Sequence, residues 1–397
     1  MDALLVMHAP EVWMLMLFIF PFVFLPMFFL SRRVTSLVPE GHANTKWIDG
    51  LRGVAAACVA LNHAPFILGS LVIMPKVFYI SADGASAPIL FGALGVQIFF
   101  CITGLLFTGK ILSNKPIDWT DFFTKRVRRI VPAYLVAVTV ALMVAAWFSW
   151  PITQDMGAIV RSLPGIYAFG LLPIPTVNGF DLVKLIGVAW TLAVEWRFYL
   201  VLPLLYIAAR KNRNLTFALI TAFAVSDLCF SNASTWSFFI PGAFCSLIAT
   251  KKFSINLRVA AGLIALAAVA FIFDRAGEKA VYGLEQWICV SVLFVGLTIS
   301  RPAILTARTL VAMGSVSYSF YLLHCMILSL VFGITQHYFI DVGSLSIVSF
   351  ALLAGATLSL SSIIATASYV FIEHRYMHKP ASTNNVSQPA VVQPVMP

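Results

Sequence analysis

The sequence predicts an all-α, polytopic integral membrane protein with about eleven transmembrane helices. Hydrophobic residues make up 60% of the 397 residues and charged residues only 11%, whereas soluble domains are roughly one quarter charged. The mean hydropathy is +0.92. Apolar runs recur along the chain, most of them close to the roughly 20 residues that an α-helix needs to cross a bilayer. Too few charges remain to cover a globular surface, which argues against a soluble protein.

Eleven apolar segments are candidate spans. The first lies in an N-terminal region, 1–44, which is expected to add one helix and a linker to a ten-helix core at 45–379. Residues 380–397 are rich in Pro, Ser and Asn and are expected to form a disordered cytoplasmic tail. Segment 162–175 contains three prolines and is predicted as a loop or a re-entrant piece. The candidate spans are roughly 11–30, 51–73, 88–109, 131–150, 185–208, 214–231, 234–250, 258–273, 284–300, 309–333 and 345–372.

The distribution of lysine and arginine predicts the orientation. One set of alternate loops contains nineteen of the 26 basic residues, and the other set contains five. The positive-inside rule makes the first set cytoplasmic, which places the N-terminus outside and the C-terminus inside. The net charge of +10 alone would also fit a nucleic-acid-binding protein. These basic residues fall between apolar runs and do not share one surface, so no nucleic-acid partner is expected.

The cysteines indicate neither a disulfide framework nor a zinc site. All six lie within apolar runs, and no pair has CxxC spacing. Buried or lipid-facing small hydrophobic residues are the simpler interpretation, and no bound metal is expected. The six are Cys58, Cys101, Cys229, Cys245, Cys289 and Cys325.

Ionisable side chains within the spans are the first functional candidates, because such groups are costly in a bilayer. Arg52 and His63 are eleven residues apart, which is about three helical turns and about 16 Å along one helix face. Counted from the predicted cytoplasmic ends, His63, Glu195 and His324 lie fourteen to sixteen residues into their spans. We therefore expect them near one depth. His63 could act as a general base, and a hydrogen-bonded packing histidine is the alternative interpretation.

A basic segment precedes the span at 131–150. It contains Arg126, Arg128 and Arg129 within residues 122–130. Arginine binds phosphate in a bidentate manner, which favours a site for a phosphorylated cytoplasmic ligand. Anchoring to anionic lipid headgroups is an equally simple interpretation.

Five motifs, in order along the chain, resemble those of the membrane acyltransferase-3 family. The first combines Trp47-Ile-Asp-Gly-Leu-Arg with Asn62-His63, and the second is a glycine-flanked span motif. An Arg-x-x-Arg and Pro-x-Tyr pattern follows, then a Trp-x-Leu-x-x-Glu-x-x-Phe-Tyr motif, and finally a Ser-Tyr-x-x-Tyr-x-x-His motif. Their bounds are 47–63, 95–104, 126–134, 190–199 and 314–324.

The resemblance implies transfer of an acyl group, often acetyl, from a cytoplasmic acyl-CoA to a hydroxyl of an envelope or exported carbohydrate or glycolipid. His63 would be the general base, Glu195 would orient or charge-balance it, and Arg52 would hold the donor. The chain has no Gly-x-Ser-x-Gly elbow, so direct attack by the acceptor is simpler than a serine acyl-enzyme, and an acyl-histidine relay remains open. Arg126, Arg128 and Arg129 would also bind the donor, and the expected substrate pocket comprises Asp49, Trp190, Tyr199, Ser317, Tyr318, Tyr321 and His324.

One departure from the family pattern concerns the end of the last span. The usual Glu-x-Pro reads Glu373-His374-Arg375 here, which weakens any role for Glu373. The chain is expected to be the stand-alone type, without a fused esterase-like domain. A bacterial inner membrane is the expected location, and the envelope polysaccharide synthesis machinery is a candidate partner.

Two other function classes fit the composition. A proton-coupled transporter would also place His, Glu and Arg within spans, although the sequence shows no internal repeat. A related alternative is a carrier that passes acyl groups across the membrane to a separate transferase. A scaffold subunit would fit the spans but gives no reason for ionisable residues at one depth.

Overall fold

The computed structural model describes residues 6–38, 45–70, 79–80, 82–113, 115–231, 233–277 and 280–377. The predicted tail at 380–397 and the end of the predicted span 51–73 lie outside these residues. Nearly all regular structure in the described part is helical. The predicted all-α fold class is therefore confirmed.

The N-terminal half of the described chain contains seven α-helices. Two short strand pairs accompany them: β1 (Val6–Met7) runs parallel to β2 (Tyr79–Ile80), and β3 (Thr176–Val177) is antiparallel to β4 (Phe180–Asp181). The helices are α1 (Ala9–Arg33), α2 (Lys46–Ser70), α3 (Ala82–Leu112), α4 (Trp119–Phe148), α5 (Met156–Tyr167), α6 (Val183–Ile186) and α7 (Trp190–Lys211).

The C-terminal half continues with eight α-helices in the described residues. A five-residue π-helix, Tyr369–Glu373, joins the last two. The helices are α8 (Arg213–Ser231), α9 (Phe239–Ser246), α10 (Ile255–Asp274), α11 (Leu284–Ser300), α12 (Arg308–Ser315), α13 (Ser317–Tyr338), α14 (Ile347–Ser368) and α15 (His374–Met377).

The helix lengths fit a multi-pass membrane protein. Among the described residues, 8 helical segments are long and apolar enough to cross a bilayer. α2 is as long as α1, with 25 residues, and α11 is a shorter apolar helix of 17 residues. The number and length of these helices are those of a polytopic, all-α membrane protein.

The predicted span 234–250 is not one long helix. It consists of a 3₁₀ turn at Trp236–Phe238 and the eight-residue α9, which is too short to cross a bilayer alone. A Cβ at Gly242 of α9 would collide with the backbone carbonyl of Cys101 in α3, and one at Gly104 would collide with the carbonyl of Phe239. The short helix is thus held against α3 by a backbone-to-backbone crossing.

The predicted loop or re-entrant segment 162–175 is partly helical. Its first residues belong to α5, which contains Pro164. The chain then turns into the β3–β4 hairpin through Asn178 and Gly179, which have φ values of 49° and 78°. Asn and Gly tolerate this left-handed conformation and commonly form two-residue hairpin turns.

The N-terminal helix α1 packs against α14 through hydrogen bonds to its backbone. Pro26 cannot donate to the carbonyl of Phe22, four residues earlier. Ser359 Oγ of α14 donates to that carbonyl at 2.7 Å, and Ser362 Oγ donates to the Val23 carbonyl at 2.7 Å. These bonds satisfy backbone groups that lipid cannot, so α1 is integrated with the rest of the fold.

Candidate active site

One cavity brings together most of the predicted site residues. It lies among α2, α3, α4, α7 and α13, and its charged lining residues among those described are three arginines and one glutamate. The lining therefore carries a formal net positive charge, which suits an anionic ligand. The predicted residues in its lining are Arg52, Arg126, Arg129, Glu195, Tyr199, Ser317, Tyr318 and Tyr321.

The two arginines of α4 reach the cavity because the basic segment is part of the helix. α4 begins at Trp119, where Asp118 Oδ1 accepts a hydrogen bond from the Asp121 amide at 3.1 Å. Arg126 and Arg129 are three residues apart and share a helix face, whereas Arg128 points away from Arg126 by about 200°. Arg126 lies over the Phe107 ring at 5.2 Å, and its Nε has no hydrogen-bond partner in the described part of the chain.

Glu195 is held by neutral hydroxyls rather than by a histidine. Tyr199 Oη donates to Glu195 Oε2 at 3.1 Å, and Thr103 Oγ1 donates to Oε1 at 3.5 Å. The charges of Arg129, Arg52 and Arg126 act on the carboxylate. The expected interaction of Glu195 with His63 is absent from these contacts.

The common depth expected for His63, Glu195 and His324 stays a prediction, and Glu195 lines the same cavity as the three arginines. In the structure Glu195 interacts with Arg52, which lies about three turns from His63 on α2. Glu195 thus belongs to the arginine end of the site.

The position of Arg52 depends on close contact of α2 with α12 and with the 3₁₀ turn Ala303–Thr306 that precedes it. A Cβ on Gly314 would collide with the Asp49 carbonyl, and one on Gly50 would collide with the Leu305 carbonyl. Both glycines belong to the motifs that resemble the acyltransferase-3 family. The close contact fixes the first turn of α2, and with it Asp49 and Arg52.

Glu373, which the sequence argument discounted, is a buried carboxylate outside the cavity lining. It is 1% exposed and accepts a hydrogen bond from Ser319 Oγ. The charges of Arg129 and Arg52 act on it. The π-helix that contains Glu373 alters the helix phase, a feature frequent at functional sites. The sequence analysis relied on the missing proline of the Glu-x-Pro pattern. A π-helix leaves no comparably simple pattern in the sequence.

His63 and His324 form a pair at the other end of the site. Their ring centroids are 5.2 Å apart. His324 is fully buried, and its Nδ1 lies 3.0 Å from the Phe320 carbonyl. A proton on Nδ1 would make this contact a hydrogen bond and leave Nε2 as an acceptor. Cys325 Sγ lies 3.4 Å from that Nε2.

The same residues are the one group in the described part of the chain that could hold a metal ion. The ligand atoms of His63, His324 and Cys325 lie within 4.8 Å of one another. The His324 contact with a backbone carbonyl is also typical of metal-binding histidines. The geometry therefore permits a soft metal as well as an acid–base pair.

Tyr321 connects the two ends of the site. It lines the arginine cavity, and its ring centroid lies 6.1 Å from that of His324. Its hydroxyl is 2.8 Å from Thr191 Oγ1 at the start of α7. A molecule that extended from the arginines to the histidines would pass this ring.

Several predicted residues lie outside the cavity lining. Asp49 acts on Arg52 and Arg129 through its charge. Arg128 is on another side of α4, and Trp190 is 41% exposed and contacts the Tyr282 ring at 6.3 Å. The structure therefore places these three around the site rather than in its cavity.

Comparison with protein families identifies the class. A family model described as an acyltransferase domain, acyltransferase-3, matches residues 45–366. The chain belongs to this family. The assignment made from the five motifs is confirmed, and the match includes the residues of both ends of the site.

Three of the similar proteins are named as O-acetyltransferases or as a transacylase. Peptidoglycan O-acetyltransferase OatA of Listeria monocytogenes is 28% identical over 178 residues, 42% of this chain and 25% of the relative. Putative membrane-bound transacylase BcsY of Komagataeibacter xylinus is 25% identical over 304 residues, 70% of this chain and 71% of the relative. O-acetyltransferase OatA of Staphylococcus aureus is 23% identical over 372 residues, 82% of this chain and 56% of the relative.

The chain thus spans only part of two of these relatives. No solved structure matches the chain.

Proposed function

We propose that the protein transfers an acyl group, acetyl in the simplest case, from acyl-CoA to a hydroxyl of an envelope or exported carbohydrate. The observation that carries this proposal is the two-ended site on α2. Arg52 lies among further arginines at one end, and His63 meets His324 at the other. Two relatives are named O-acetyltransferases, one of them for peptidoglycan, which supports a carbohydrate acceptor.

The spacing of the two ends fits an elongated donor. Arg52 and His63 are about 16 Å apart along the helix. Coenzyme A has a phosphorylated nucleotide at one end and an extended, uncharged arm that ends in the thioester. The arginines would bind the phosphates, and the thioester would reach the histidines past Tyr321. A short donor such as an acyl phosphate could not occupy both ends.

The proposed chemistry uses His63 as a neutral imidazole at the far end of the site. His63 would take the proton from the acceptor hydroxyl as its oxygen attacks the thioester carbonyl. The new C–O bond forms, the C–S bond breaks, and the leaving thiolate takes the proton from His63. His324, oriented through the Phe320 carbonyl, would fix the position of the His63 ring. Proton transfer by such a group contributes about 10²–10⁴-fold to a rate.

The proposed donor and acceptor ends also imply which side of the membrane each end faces. The arginine end would open to the cytoplasm, where acyl-CoA is made, in agreement with the positive-inside count. The acceptor would approach the histidines from the opposite side of the bilayer. This arrangement puts the N-terminus in the periplasm of an inner-membrane protein and the C-terminus in the cytoplasm.

Purified protein in lipid nanodiscs provides the test. Acetyl-CoA labelled in the acetyl group is supplied with envelope polysaccharide fragments, and both free CoA and labelled carbohydrate are measured. The proposal predicts that the two products appear in equal amounts. If acetyl-CoA remains unchanged in the presence of acceptor, the assignment of acyl-CoA as the donor is wrong. If CoA is released but no carbohydrate is labelled, the assignment of a carbohydrate as the acceptor is wrong.

A further inference from the structure

A second cavity lies against a different face of α7 from the arginine cavity. It is a groove of about 600 Å³ between α7 and α8, with α3 and α9 behind it. Its walls are almost wholly apolar, and Val201, Leu219 and Phe223 in its lining are 45%, 61% and 67% exposed. In a membrane-spanning protein, such a groove is open to the hydrocarbon of the bilayer.

The groove contains a cation that has no partner in the described part of the chain. Arg197 is the one charged residue among the described residues of the lining, and it is exposed. None of the hydrogen bonds, ion pairs or cation–π contacts of the described chain involves its guanidinium. Arg197 lies seven residues after Trp190, the first residue of α7, and within the apolar helical segment Val183–Lys211. An arginine at this position is costly in a bilayer unless an anion meets it.

We propose that this groove is a binding site for an anionic phospholipid, whose phosphate pairs with Arg197 and whose chains fill the apolar walls. A guanidinium binds phosphate oxygens through two parallel hydrogen bonds. Thr221 supports a polar contact in the same groove, because its buried Oγ1 has no hydrogen-bond partner among the described residues. The volume falls within the roughly 300–1,000 Å³ typical of ligand sites.

A lipid fits this site better than a soluble anion does. Free phosphate would leave the apolar walls unfilled and would have to enter through hydrocarbon. The stacked rings of Phe198 and Phe239, with centroids 4.2 Å apart, form a rigid apolar surface behind the groove. The proposal is independent of the proposed acyl transfer, because Arg197 lies on the face of α7 away from Glu195.

Native mass spectrometry of the purified full chain, titrated with phosphatidylglycerol or phosphatidylcholine in detergent, tests the proposal. We expect one retained phosphatidylglycerol per chain, bound at least fivefold more tightly than phosphatidylcholine. Arg197→Ala should weaken phosphatidylglycerol at least tenfold, and Arg197→Lys should weaken it less. Excess inorganic phosphate should not displace the lipid.

Two further variants keep the result decisive. Arg210→Ala removes an exposed arginine near the end of the same helix and should leave the affinity unchanged. Val201→Trp fills the groove while keeping Arg197, and it should displace the lipid even if Arg197→Ala fails to fold. Equal affinity for the two lipids, or full retention by Arg197→Ala and Val201→Trp, would overturn the proposal.

Discussion

The imidazole rings of His63 on α2 and His324 on α13 lie side by side, with their centroids 5.2 Å apart and their planes inclined by 51°. The arginines that suit a phosphorylated ligand lie at the other end of the site, around Arg52. Binding and chemistry are thus assigned to different residues. Substitutions at the two ends should therefore have different kinetic effects.

Arg126 and Arg129 should act on donor affinity. Each side chain lines the cavity, and a hydrogen bond to a charged group contributes about 1.5–3 kcal/mol. Arg126→Ala or Arg129→Ala should raise the KM for acyl-CoA about tenfold or more, with kcat little changed. Steady-state kinetics at several salt concentrations would measure the effect. Added salt should raise the KM of the wild-type protein.

Arg128→Ala is the matched control, because Arg128 lies outside the cavity lining. Its KM should stay near that of the wild-type protein. A fall in kcat with unchanged KM in Arg126→Ala or Arg129→Ala would contradict the assignment to donor binding.

Glu195→Gln tests whether this carboxylate acts in catalysis or balances the buried arginines. Its contacts with Tyr199 and Thr103, and the surrounding arginine charges, favour charge balance. Removing the charge should lower the thermal midpoint, because buried cations would lose a counter-ion. The KM for acyl-CoA should not rise, since the cavity becomes more positive.

Thermal melting and kcat per folded molecule should be measured together for this variant. Tyr199→Phe is the control that removes a hydrogen bond to Glu195 but keeps its charge. An unchanged thermal midpoint with a hundredfold lower kcat would instead assign Glu195 to the chemical step.

Gly242→Ala should destabilise the fold. The added Cβ would meet the backbone of α3 at Cys101, and overpacking a tight contact costs about 1–3 kcal/mol. Gly109→Ala is the matched control, because the nearest atom to its Cβ would be Ser246 Cβ at 4.0 Å. The yield of monodisperse protein and its thermal midpoint should fall for Gly242→Ala alone. Equal values for the two variants would show that the α3–α9 crossing is not tight.

Metal chelation distinguishes the two chemistries that the histidine pair permits. If His63 and His324 act as an acid–base pair, dialysis against a chelator should leave the transfer rate unchanged. Elemental analysis of the purified protein should then find no stoichiometric zinc or copper. Loss of activity that returns when zinc is added would identify His63, His324 and Cys325 as a metal site.

The sequence predicted the membrane class and much of the arginine end. Bilayer thickness sets the length of each apolar span. Helix periodicity predicts that Arg126 and Arg129, three residues apart, share one face of a helix. The sequence did not predict the partners of Glu195. Counting residues from Arg210 gives an approximate depth for Glu195 but does not show which neighbouring helix it faces, and the structure places Thr103 of α3 beside it.

Glu373 and the interrupted span 234–250 show a second limit. The inward position of Glu373 depends on a π-helix, and α9 is held by its contact with α3. Both features are set by contacts between distant segments. Local hydropathy and motif spacing contain no information about such contacts.

Comparing acyl-CoA binding with acyl transfer in His63→Ala is the most direct test of the two-ended site. Binding should be measured by calorimetry in nanodiscs, and transfer in a single turnover with saturating acyl-CoA. The site predicts a Kd within about threefold of wild type, because the arginines remain, and a transfer rate lower by about 10²–10⁴-fold. A near-normal transfer rate, or a loss of donor binding as large as the loss of rate, would contradict it.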